Sequence, residues 1–79
     1  MPIQVLFFGA TADIAGTRQI DLQAKGGITA NAALAKIVEQ IPGLVAHQLH
    51  ISVNQQYARG DEMIRDGDEV AIFTAVSGG

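Results

Sequence analysis

Only one stretch of this 79-residue chain changes its hydrophobic period. Along "AKGGITANAALAKIVEQIPG", Leu34, Ile37, Val38 and Ile41 recur at i, i+3, i+4 and i+7, the stripe of a helix with one buried face. Thr29 or Asn31 can cap its start, and Pro42-Gly43 stops it. The other apolar runs alternate. "PIQVLFF" places Ile3, Val5 and Phe7 on one face and Leu6 and Phe8 on the other, which predicts a strand covered on both sides near its end. "RQIDLQ" turns Ile20 and Leu22 inward and Gln19, Asp21 and Gln23 outward, and forms a hairpin with the first strand. "QLHISVNQ" alternates through Leu49, Ile51 and Val53, and "VAIFTAV" is the final strand after a turn at Asp66-Gly67. A lone helix cannot bury its own stripe, so it must share a core with these strands.

The predicted order is β-β-α-β-β, with Gly9 to Thr17 as a loop and a short helical turn around Met63-Ile64. The first and last strands are the most apolar and belong at the centre of the sheet. The economical solution is an α+β fold: a mixed sheet of about four to five strands with one main helix packed across it. That is a β-grasp, ubiquitin-like architecture. It makes one domain of residues 1–79, with a flexible Gly-Gly tail over about 76–79.

Composition removes several kinds of chemistry. Without cysteine there can be no disulfide, Fe–S cluster, zinc–thiolate site or thiol nucleophile, and the expected compartment is the cytoplasm. The N-terminus lacks the basic and long apolar segments of a signal peptide or membrane span. His47 and His50 have an odd-even offset and face opposite ways in an extended chain, so they read as exposed polar residues rather than metal ligands. "DGDE" (Asp66 to Glu69) lacks the ligand spacing of a calcium loop and reads as a tight turn with Gly67 at positive φ. Gly26-Gly27 has no phosphate-cradle pattern, and Ser77 has no evident base. No metal site and no bound cofactor are expected. Net charge is −3, and five acids (Asp61, Glu62, Asp66, Asp68, Glu69) face a single Arg65 between positions 61 and 69. Such a balance argues against nucleic acid. Either a basic protein partner docks there, with Asp66, Asp68 and Glu69 as docking charges, or the acids are a solvated turn face.

The sequence closes on "AIFTAVSGG". Two glycines after an apolar strand have two readings: fraying, or a backbone thin enough to thread a narrow channel with a carboxylate at its tip. A carboxylate needs activation before it can transfer an acyl group, for instance as an acyl-adenylate.

Taken together, "VLFFG", "AGT" (Ala15 to Thr17), "VNQ" (Val53 to Gln55), "DGDEVAIF" (Asp66 to Phe73) and the closing "VSGG" resemble the small subunit of molybdopterin synthase, in order and over nearly the whole chain. The resemblance implies the β-grasp fold. It also implies that Gly79 is adenylated at the expense of ATP by a ubiquitin-activating-like adenylyltransferase. Sulfur from a donor such as a cysteine desulfurase or rhodanese then makes the terminus a thiocarboxylate. Ser77, Gly78 and Gly79 insert into the large synthase subunit, and sulfur passes to precursor Z to form the molybdopterin dithiolene. By motif position the apolar partner interface falls on Phe7, Tyr57 and Phe73, although Phe7 and Phe73 could equally be core residues. Tyr57, in a polar stretch, is the better interface candidate. Thr74-Ala75 stands where many family members carry Pro-Pro, and "TAVSGG" leans toward the related sulfur carriers of thiamin thiazole synthesis. Three alternatives therefore stand beside the synthase role: a thiazole sulfur carrier, a ubiquitin-like modifier of lysines, and an interaction domain with an incidental tail.

Overall fold

Strand alternation and a single helix period assemble into one layered structure, a computed structural model that describes residues 2–74. The predicted final strand runs to Val76, and its last two residues lie outside the described residues, as does the tail. Seven strands form. β1 (Ile3–Phe7), β2 (Gln19–Leu22), β7 (Glu69–Thr74), β4 (Leu49–Val53) and β5 (Gln56–Tyr57) build a five-stranded sheet in the order β2-β1-β7-β4-β5. β1 and β7 pair in parallel at its centre, and the other neighbours are antiparallel. The sequence places the two most apolar strands there, because a central strand has no edge to solvate. The sheet is mixed, as a β-grasp requires, and one main helix, α2 (Ala30–Gln40), packs across it.

The core lies on one sheet face. Ile3, Val5, Phe7, Leu22, Ile51, Val70 and Ile72 meet Ala30, Ala33 and Ile37 of the helix and Leu44 of the 3₁₀ helix Pro42–Ala46. The apolar stripe is therefore rotated from its sequence reading. Ala30, Ala33 and Ile37 are deepest, while Leu34, Val38 and Ile41 form a half-buried shoulder. Alanines face the sheet because their short side chains let the helix approach it closely.

The helix start is held by tertiary partners. Thr29 accepts from Ala32 N–H at 3.2 Å, the cap that the sequence allows it. The Glu62 carbonyl accepts from Ala30 N–H (2.9 Å), and the Gly60 carbonyl from Asn31 N–H (2.8 Å). Three of the four N–H groups that a helix leaves orphaned are thus satisfied. The segment supplying those carbonyls is fixed by a two-stranded ribbon, β3 (Ile28–Thr29) with β6 (Met63–Ile64). Met63-Ile64 is thus a strand, contrary to the helical turn expected. Its backbone pairs with β3, and Ile64 is driven into the core.

Two further expectations are corrected. The Gly9 to Thr17 connection contains a short helix, α1 (Ala10–Ala15), ended by Gly16 in the left-handed conformation. The first strand is covered on one side only. Leu6 is half-buried and Phe8 is 52% exposed, because among the described residues no element packs on the second face. Among the described residues no helix is long and apolar enough to cross a membrane.

Candidate functional site

The strand register builds the uncovered face residue by residue. Leu6, Ala71, Ser52 and Tyr57 are successive partners across β1, β7, β4 and β5, and form one row. In the next row His50 lies opposite Phe73. Their rings stack with centroids 5.7 Å apart and planes inclined by 21°. Tyr57 meets the same Phe73 ring edge-on at 5.6 Å, while its own side chain is 79% exposed. Phe8 follows directly on β1, and the alternation carries it to this side. Beside it opens a cleft of about 590 Å³ lined by Leu6, Phe8, Ala12, Asp13 and Arg18. An aromatic and aliphatic patch with polar surroundings is the composition of a protein-docking surface. β7 crosses its middle and leads toward Ser77, Gly78 and Gly79, which lie outside the described residues.

Phe7, Tyr57 and Phe73 therefore separate. Tyr57 and Phe73 come together on the open face. Phe7 is buried at 3% exposure on the core side, so it is corrected to a core residue. The reason is strand parity: neighbouring positions point to opposite faces, and a motif "FF" read one place early selects the wrong phenylalanine. Phe8 holds the exposed position, and the sequence already contained the signal in placing Leu6 and Phe8 opposite Phe7. For His50 the alternation predicts an exposed polar residue. It is half-buried against Phe73, a contact that depends on cross-strand register and is invisible in either strand alone.

The acidic segment is also divided in role. Asp68 accepts from Arg65 N–H at 2.8 Å and from Asn54 Nδ2 at 3.1 Å, and Asn54 Oδ1 accepts from Glu69 N–H at 3.0 Å. The Arg65 N–H foremost, then the Asn54 amide, hold the Asp68 carboxyl below its ordinary value. Glu62 accepts from Arg59 N–H (2.6 Å) and Gly60 N–H (2.8 Å). These backbone bonds, that to Arg59 first, hold its carboxyl below the ordinary value too. Both carboxylates shape loops. Asp66 is exposed in the turn with Gly67 at φ +88°, and Glu69 is half-buried in the row beside Gln4. Of the three docking charges expected, Asp66 is exposed, Asp68 and Glu69 are half-buried, and only Asp68 accepts hydrogen bonds through its carboxylate. Among the described residues no three metal-ligating side chains converge.

The geometry is that of a small β-grasp domain with one open sheet face. The ThiS family signature matches residues 5–79. The chain belongs to the ThiS family. It is 35% identical to the molybdopterin synthase sulfur carrier subunit of Chlamydomonas reinhardtii, with all of both chains covered. It is 33% identical to the human subunit of the same name, covering 98% of this chain and 93% of that one. Among solved structures it is similar to SAMP1 from Haloferax volcanii, with a TM-score of 0.85, 27% identity and complete coverage of both chains. This ThiS-family chain therefore has the ubiquitin-like β-grasp fold in fact as well as in pattern.

Proposed function

We propose that this chain is the sulfur carrier subunit of a molybdopterin synthase. The observation that carries the reading is the whole-length likeness to sulfur carrier subunits of that name, 35% identical from end to end. The open face supports it, since a carrier without catalytic machinery of its own needs a docking surface beside its donor group.

In this reading an adenylyltransferase joins the Gly79 carboxylate to AMP, releasing pyrophosphate from ATP. A persulfide sulfur from a desulfurase or rhodanese partner displaces AMP to give an acyl disulfide. A second thiol of the partner then attacks the partner's own sulfur, closing a disulfide there and releasing the thiocarboxylate. Phe8, Phe73 and Tyr57 dock on the large subunit, and Ser77, Gly78 and Gly79 enter its active site. There the terminal sulfur passes to precursor Z, and the carrier returns as a carboxylate. Asp66 and Glu69 steer the encounter with a basic surface. Replacing both with Asn and Gln should lower the association rate and its salt sensitivity, and unchanged rates at low salt would refute the steering.

The test of the carrier role is intact mass after incubation with ATP, a sulfur source and the activating enzyme, repeated with Gly79 deleted. Exchange of one terminal oxygen for sulfur, absent in the deletion, supports the role. No exchange with any activating enzyme refutes it. Dithiolene formation with the large subunit then separates the synthase carrier from a thiazole carrier. A second reading, a ubiquitin-like modifier, is favoured by the full-length likeness to SAMP1. It requires isopeptide adducts through Gly79 on lysines of other proteins.

A further inference from the structure

We infer that Thr11 is a positioning residue that holds Phe8 and β7 in the arrangement the partner recognises. The inference rests on the proposed docking of the open face. Thr11 is fully buried, the sole buried polar side chain among the described residues. A buried hydroxyl is costly unless it is bonded, and this one sits where three elements cross. Its oxygen accepts from Phe8 N–H at 3.0 Å. It lies 2.7 Å from the Phe8 carbonyl and 2.9 Å from the Ile72 carbonyl, and donates its single proton to one or the other. Phe8 N–H also reaches the Ile72 carbonyl at 3.1 Å, and Thr11 N–H reaches the Phe8 carbonyl at 3.3 Å.

The consequence falls on a side chain that Thr11 does not use for packing. Phe8 stands one residue beyond the end of β1, and Gly9 at φ +59° immediately turns the chain into α1. Among the described residues Phe8 is only about half covered, so its direction depends largely on its backbone. That backbone is tied to Ile72 twice, directly by its own N–H and again through the Thr11 hydroxyl. Ile72 precedes Phe73, the centre of the aromatic row, in the strand that leads to the tail. The hydroxyl thus reinforces the placing of the anchor that follows β1 relative to the strand that leads to the tail.

Thr11→Val keeps the volume but puts a methyl where the hydroxyl was. A methyl carbon needs about 3.3–3.6 Å from a carbonyl oxygen, so the 2.7 and 2.9 Å contacts must open and Phe8 must swing. The experiment measures affinity for the synthase large subunit by calorimetry, together with the thermal midpoint, for the wild type and for Thr11→Val, Thr11→Ser, Phe8→Ala and Thr11→Val/Phe8→Ala. Thr11→Val should bind about tenfold more weakly. Thr11→Ser, which retains the hydroxyl, should bind like the wild type. In the Phe8→Ala background Thr11→Val should cost little more, because a residue acting through Phe8 has nothing left to position. Equal losses in both backgrounds, or a lowered midpoint with wild-type affinity, would overturn the inference. If Thr11→Val does not fold, Thr11→Cys serves instead, its thiol being a weaker hydrogen-bonding group of similar size. Wild-type protein that fails to bind the large subunit refutes the docking reading itself. Wild-type binding that is indifferent to Phe8→Ala refutes only the inference.

Discussion

At the scale of single residues, backbone conformation and carboxylate placement carry the strongest expectations. Asn54 and Gln55 form the two-residue loop between β4 and β5, both with positive φ (49° and 70°), as a type I′ hairpin turn requires. Asn54 is compensated by its bonds to Asp68 and Glu69, whereas Gln55 is an exposed residue in a conformation that costs a side chain roughly 1–2 kcal/mol. Part of that is returned by the extra freedom glycine has when unfolded. Gln55→Gly should therefore stabilise the protein by about 0.5–1 kcal/mol, read as a raised urea midpoint with unchanged slope. Glu62 and Asp68 give the pH dependence. Their folded values lie below the unfolded ones, so their stabilisation is complete above the ordinary carboxylate range and is lost as pH falls through the folded values. The thermal midpoint should drop from about pH 5 toward about pH 3, and Glu62→Gln should lower it at neutral pH and flatten that slope. A slope unchanged by Glu62→Gln would place the acid sensitivity elsewhere.

At the scale of elements, α2 shows how a helix of modest length is held. Thr29→Ala removes the acceptor for Ala32 N–H and should cost about 1 kcal/mol, measurable in the same urea titration. The two neighbouring N–H groups keep their loop carbonyls, so the helix should persist in the far-UV spectrum. Sequence found this helix and its cap because both signals are local. It missed α1 because "GATADIAGT" has no apolar stripe, only turn residues at each end. The strand at Met63-Ile64 was missed because two residues carry no period at all. Its identity depends on Ile28-Thr29, some 35 positions earlier, arriving beside it.

At the scale of the whole molecule, the centre of the sheet is the point of greatest vulnerability. Ile72 is fully buried in β7, paired with Phe7 on one side and Ile51 on the other. Ile72→Ala should cost about 2–5 kcal/mol, a large share of the roughly 5–15 kcal/mol that holds a small domain together. Val45→Ala, at a position 74% exposed, should stay within about 0.5 kcal/mol and serves as the control. The open face is likewise a property of the whole. The strand alternation, the helix period, its cap, the turn at Asp66-Gly67 and the family motifs are legible without a structure, because each is written in residues close along the chain. Tertiary structure decided which face of the sheet stayed open. It also decided that Phe8 rather than Phe7 lies upon it, that His50 stacks on Phe73, and that Asp68 is occupied with a turn. The physical reason is that alternation divides a strand into two faces without saying which one the helix will cover. That choice is made only when strands far apart in sequence fall into register.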